Sequence, residues 1–153
     1  MNLTSWNKRW MGLAKYVSTF SHDPSSKIGA VFISAEQQVL SLGWNGFPRG
    51  IADTPERLND RPTKYSLTSH AEMNAIYNAT HNGIPLKNST LYVYGLPVCS
   101  HCALGVVQVG TKQIFQCFDS TDERWLTSAQ MSFNIFSEVG IPVFSGGEET
   151  WNL

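Results

Sequence analysis

The chain has 153 residues, enough for one domain with a sizeable core, and its 42% apolar and 15% charged residues exclude a disordered chain. A net charge of −1 leaves no excess of basic residues for a general nucleic-acid-binding surface. No apolar run reaches membrane-spanning length, and the polar start "MNLTSWNKRW" does not read as a secretory signal, so the expected location is the cytoplasm.

Thr4 or Ser5 is placed to cap a first helix running to about Phe20, with Trp6, Trp10, Leu13, Ala14 and Val17 as its buried stripe. "SHDPSS" breaks that pattern at Pro24. "KIGAVFIS" and "VLSLGW" then read as two strands of a hairpin, joined by the turn "AEQQ". Asn45 to Thr68 is a polar, proline-containing segment, read as a long functional or mobile loop. A helix from His70 to about Thr80 follows, with Ser69 as its cap and Asn82-Gly83 as its stop. "STLYVYGL" is a third strand, and Cys99 to about Val109 a third helix stopped by Gly110. "KQIFQCF" is a fourth strand, "ERWLTSAQMSFNIFSEV" a fourth helix and "IPVF" a short fifth strand. The tail "SGGEETWNL" is expected to be irregular.

This order, α-β-β-α-β-α-β-α-β over residues 1–153, implies one α/β domain: a hairpin, then crossovers that make the later sheet largely parallel, with helices on both faces. The last helix carries two apolar stripes. One is Leu126, Ala129, Phe133 and Phe136; the other is Met131, Ile135 and Val139. Either both are buried, or one faces the core and the other a second subunit.

The chemistry gathers at two helix starts. Cys99 and Cys102 form a C-x-x-C at the start of one helix, where the macrodipole favours thiolates. An odd total of three cysteines fits a reducing compartment, in which such a pair binds metal or does redox chemistry. The thioredoxin-like pattern expected of a redox pair is absent. His70, opening the preceding helix, is placed as third ligand. Three protein ligands leave a fourth zinc position for water, as in a catalytic site. Glu72, two residues on, can lie beside that water and move its proton. Read singly, His70 could merely cap its helix; it is the combination that points to an open zinc site. Cys117, alternating within a strand, reads as a buried apolar residue, and His101 as a solvated neighbour of the pair.

At these residues the chain resembles the zinc-dependent nucleoside and nucleotide deaminases, whose H-x-E … P-C-x-x-C signature it approaches. Within that class "GWNGFPRG", "KYSLTSHAEMNAI" and "CALGVVQVGTKQI" resemble the deoxycytidylate (dCMP) deaminases. The resemblance implies a three-layer α/β/α cytidine-deaminase-like fold with a five-stranded mixed sheet, its fourth and fifth strands parallel. It implies hydrolytic deamination of dCMP to dUMP, with a catalytic Zn2+ held by His70, Cys99 and Cys102. Glu72 is then the proton shuttle, backbone groups near Ala71 and Leu96 orient the base, and Asn45 bonds the sugar. It further implies dCTP and dTTP effectors, Mg2+ accompanying the effector, and a homo-oligomer from dimer to hexamer. No nucleic-acid or membrane partner is expected.

The chain departs from the family pattern at Val98, which separates Pro97 from Cys99, at Ser69 and at Trp44. For the substrate phosphate the cationic candidates are Arg49, Lys27, Arg124, Arg57, Arg61 and Lys64, with Arg49 favoured because it lies in "FPRG". Other readings are a deaminase of dCTP or of a modified cytosine nucleotide, a tRNA adenosine deaminase, which the near-neutral charge opposes, and a non-catalytic zinc-stabilised protein, which Glu72 opposes.

Overall fold

A computed structural model describes residues 2–119 and 122–153. Helix α1 spans Ser5–Ser18. Thr4 and Asn7 cap it reciprocally: the Asn7 N–H donates to Thr4 Oγ1 and the Thr4 N–H to Asn7 Oδ1. Strands β1 (Gly29–Ile33) and β2 (Val39–Trp44) form the expected hairpin. Helix α4 (Ala71–His81), strand β3 (Thr90–Tyr94), helix α5 (Ser100–Gln108), strand β4 (Gln113–Cys117), helix α6 (Glu123–Glu138) and strand β5 (Val143–Gly146) follow in the expected order.

Two findings depart from it. The polar segment is not all loop: it holds two short helices, α2 (Pro55–Asn59) and α3 (Arg61–Leu67). Thr54 and Asp60 cap them, and each has proline in its first turn, where the missing N–H costs nothing. The tail also ends in a helical turn, α7 (Glu148–Trp151).

The sheet order is β2-β1-β3-β4-β5. β1 runs antiparallel to both neighbours, whereas β3, β4 and β5 are parallel. Alternation along β1 divides the core in two. Ala30 and Phe32 face a layer built from α4, α5 and α6, including Ala75, Val106 and Phe136. Val31 and Ile33 face the opposite layer, where Met11, Ala14 and Val17 of α1 pack with Phe115 and Trp151. The result is the three-layer α/β/α arrangement. No helix among the described residues is long and apolar enough to cross a membrane.

The two stripes of α6 are not both buried. Phe136 is core and Ile135 packs against it, while Leu126, Met131, Phe133 and Val139 are exposed. Trp6 also lies outside the core, stacked on Trp10 with ring centroids 5.5 Å apart. Trp151, by contrast, is fully buried edge-on to Phe115, and its Nε1–H donates to the carbonyl of Gly146. Trp151→Ala is therefore expected to destabilise the fold by about 3–5 kcal/mol, read as a lowered midpoint in urea.

Helix α4 is fixed tightly against β2. Asn74 and Asn78 donate from their side-chain amides to the carbonyls of Trp44 (2.7 Å) and Leu42 (2.8 Å), and the Ser41 hydroxyl donates to the carbonyl of Ala75 (2.6 Å). Gly43 permits this approach, since a Cβ there would lie 2.3 Å from the backbone nitrogen of Ala75. Any larger residue would push away the helix that opens at His70.

Candidate active site

Two helix starts meet beside the sheet. Ser69 does not cap α4; its N–H and carbonyl pair instead with Gly46 in an isolated bridge. His70 takes the cap position in extended conformation, and its side chain makes no capping bond. The ring faces the start of α5. There Cys99 holds the cap position, with its Sγ accepting from the Cys102 N–H at 3.4 Å. Neighbouring side chains hold this turn. Gln116 of β4 accepts from the Val98 N–H through Oε1, and the Ser128 hydroxyl of α6 accepts from the Ser100 N–H.

His70 Nδ1 lies 3.4 Å from the Sγ atoms of both Cys99 and Cys102, and the three donor atoms lie within 4.8 Å of one another. Tetrahedral zinc with Zn–S near 2.3 Å and Zn–N near 2.0 Å would separate nitrogen and sulfur by about 3.5 Å, so the donors match that ion in kind and spacing. With three such donors the set is that of an open centre, not of a four-ligand structural one. The Cys99 thiol is held down to about 4, first by the hydrogen bond from the Cys102 thiol and then, against the cost of burial, by His70 and the backbone of Cys102. Cys102 is pushed up by the same neighbour and by burial. The His70 imidazole is raised, chiefly by its bond with Cys99.

Glu72 is a buried carboxyl in the first turn of α4. Burial raises its proton affinity above the usual carboxylate range, while the Cys102 thiol and the His70 ring pull the other way. It lines a cavity of about 220 Å³ with His70, Cys99, Asn45, Ala71 and Leu96. Asn45 is buried with its amide already engaged: Oδ1 accepts from the Ile28 N–H at 2.9 Å and Nδ2 donates to the Ser26 carbonyl at 2.8 Å. One lone pair and one hydrogen remain for a ligand.

Arg49 is not brought to this cavity. Its guanidinium bonds Asn78 and lines a second cavity of about 320 Å³, with Trp44, Phe47 and Tyr77. Of the other cations, Lys27 donates to the Ser21 carbonyl and Arg57 to the Ala52 carbonyl. Arg61, Lys64 and Arg124 do line the first cavity. Lys64 forms a buried ion pair with Asp23 at 3.1 Å, and Tyr65 and Trp125 complete that wall. Sequence reasoning took Asp23 only as part of a turn. Its carboxylate does accept from the N–H groups of Ser25 and Ser26, but the pairing with Lys64 spans 41 residues and leaves no local signal.

Residues 4–117 match the family model described as the cytidine and deoxycytidylate deaminase zinc-binding region. A deaminase encoded in the luxG 3' region of Aliivibrio fischeri is 34% identical over 144 residues, covering 92% of this chain and 93% of that protein. The human deoxycytidylate deaminase is 34% identical over 136 residues, covering 85% of this chain and 75% of its own. The crystal structure of the dCMP deaminase of cyanophage S-TIM5 with dCMP and dUMP superposes with a TM-score of 0.74 at 19% identity, covering 95% of this chain and all of that one, and so shares the fold. With the matched region running from the cap of α1 to the end of β4, and so containing both helix starts, the chain belongs to the cytidine and deoxycytidylate deaminase family.

Proposed function

We propose that this chain, as a single catalytic domain, hydrolyses the exocyclic C–N bond of dCMP to give dUMP and ammonia. The observation that carries this reading is the convergence of His70, Cys99 and Cys102 at the wall of a cavity that also holds the buried Glu72. His70, Cys99 and Cys102 would hold a zinc ion, whose chemistry when bound is to lower the pKa of a water molecule to about 7. Glu72 takes one proton from the attacking water and delivers it to N3 of the cytosine, then takes the second from the hydroxyl added at C4 and delivers it to the departing amino group. C4 gains an oxygen and loses nitrogen, with no redox change. Asn45 holds the sugar through its remaining amide capacity, and the backbone at Ala71 and Leu96 orients the base.

Three further parts of the reading rest on the family resemblance. The chain acts in the cytoplasm. It assembles as a homo-oligomer, for which the exposed Leu104, Leu126, Met131 and Phe133 provide apolar surface. Its effectors are dCTP and dTTP, accompanied by Mg2+, and the cavity beside Arg49, walled by three aromatic side chains, is suited to a nucleotide.

Ammonia release by the zinc-loaded protein on a panel of cytosine and adenine nucleosides and nucleotides tests the assignment. The expected result is turnover of dCMP, roughly 10-fold or more above deoxycytidine in kcat/KM, and none of adenosine. Failure to deaminate any cytosine nucleotide would refute it.

A further inference from the structure

Val98 stands where the deaminase signature has proline, directly before the first cysteine. Proline carries no N–H and fixes its own φ, whereas valine brings a backbone donor and a freer φ. Val98 is 1% exposed and lies in the apolar cluster between the sheet and helices α4, α5 and α6. A donor left unpaired there would carry its full desolvation cost. Gln116 supplies the acceptor. Its Oε1 takes the Val98 N–H at 3.1 Å, and its Nε2 donates to Ser145 Oγ at 2.8 Å, which decides which end of the amide faces Val98. Gln116 and Ser145 are register partners on β4 and β5, so the carboxamide rests on two strands of the sheet. By alternation Gln116 shares its face of β4 with Ile114, which is core. A polar side chain on that face is explained by the donor it serves. On the far side of Cys99, the Ser100 N–H goes to Ser128 Oγ at 2.9 Å.

Resting on the zinc-deaminase reading, we infer that Gln116 is a positioning residue for the metal centre. Its hydrogen bond to Val98 replaces the backbone restraint that the signature's proline would supply, and so holds Cys99 at its spacing from His70 and Cys102. The spacing in question is the 3.4 Å between His70 Nδ1 and each sulfur. Cys99 is the helix cap, and the turn that enters it has no helical bonds of its own to set its direction. Groups that orient a metal ligand from outside its coordination shell govern how tightly the metal is held. Gln116 acts in this way through the backbone, and not on the reacting atoms.

The test measures zinc affinity of the folded protein by competition with a chromophoric chelator, together with the absorption spectrum of the Co2+-loaded protein, whose bands follow ligand geometry. Gln116→Leu keeps the bulk and removes the acceptor. It is expected to weaken zinc binding roughly 10- to 100-fold and to alter the Co2+ spectrum. Gln116→Glu keeps an acceptor and should recover most of that affinity. Val98→Pro removes the donor, so in that background Gln116→Leu should change the zinc Kd by no more than about 2-fold. A lowered melting temperature in Gln116→Leu with zinc affinity and Co2+ spectrum unchanged would make the residue merely structural and overturn the inference. An equal loss of affinity with and without Val98→Pro also overturns it. Should Val98→Pro fail to fold, the other pair decides, because equal losses in Gln116→Leu and Gln116→Glu exclude the hydrogen bond as the cause. A wild-type protein that binds no zinc overturns both this inference and the deaminase reading. One that binds zinc tightly but deaminates no cytosine nucleotide overturns that reading alone.

Discussion

Glu72→Gln is expected to lower kcat on dCMP by roughly 10²- to 10⁴-fold, the range that a positioned acid–base group supplies, while zinc content stays at the wild-type level. Glutamine keeps the shape and can still donate and accept hydrogen bonds, but it cannot carry a proton between water, N3 and the departing amine. Stability should not fall with activity. The Glu72 carboxyl is buried in the first turn of α4, and burial disfavours its charge, so a neutral isostere relieves a cost instead of creating one. Ammonia release, metal analysis and a thermal melt on the same preparation separate the outcomes. Near-normal turnover would remove Glu72 from the mechanism. Loss of zinc together with turnover would make it a ligand, and the three-donor reading of His70, Cys99 and Cys102 would fall.

That reading was open to sequence reasoning for a physical reason. Metal ligation imposes short, fixed spacings, and helix starts announce themselves through strand ends, breakers and caps. C-x-x-C after an apolar strand and His-x-Glu before an apolar helix are therefore local patterns with three-dimensional content. The core strands were legible in the same way, because β1 and β3 are short, nearly continuous apolar runs bounded by breakers, a property of consecutive residues. What escaped was non-local or short. Helices α2 and α3 span only 5 and 7 residues and bury almost no apolar side chain, so no periodicity marks them. The tail looked irregular because the partners of Trp151 lie on β4 and α1, far away along the chain. Arg49 shows the limit of arguing from a motif: its position in "FPRG" fixes the loop, but not the side of β2 toward which the guanidinium turns. The Lys64–Asp23 pair and the Arg61–Tyr65 contact emerge only once α3 is folded onto the cavity.

Cys99→Ala and Cys102→Ala should each abolish stoichiometric zinc binding and lower the melting temperature, since ligation of a site formed only in the folded chain is itself folding free energy. A folded state saturated at about 1,000 times its Kd gains about 4 kcal/mol from its ligand. For a chain of this size that corresponds to roughly 8–16 °C in melting temperature. The wild-type protein should therefore lose about that much on adding a chelator, and the two variants should start from the lowered value and ignore the chelator. Cys99 carries a second contribution, because its sulfur accepts the Cys102 N–H at the start of α5. Removing a cap costs about 0.5–2 kcal/mol, so Cys99→Ala should melt below Cys102→Ala. Cys99→Ser resolves the two contributions: a serine oxygen can cap the helix but is a poor zinc ligand, so this variant should regain the cap's share of stability and none of the chelator response. A variant that bound zinc one to one and melted with the wild-type chelator shift would show that its sulfur is not a ligand. The water-activating centre would then have to be sought away from the start of α5.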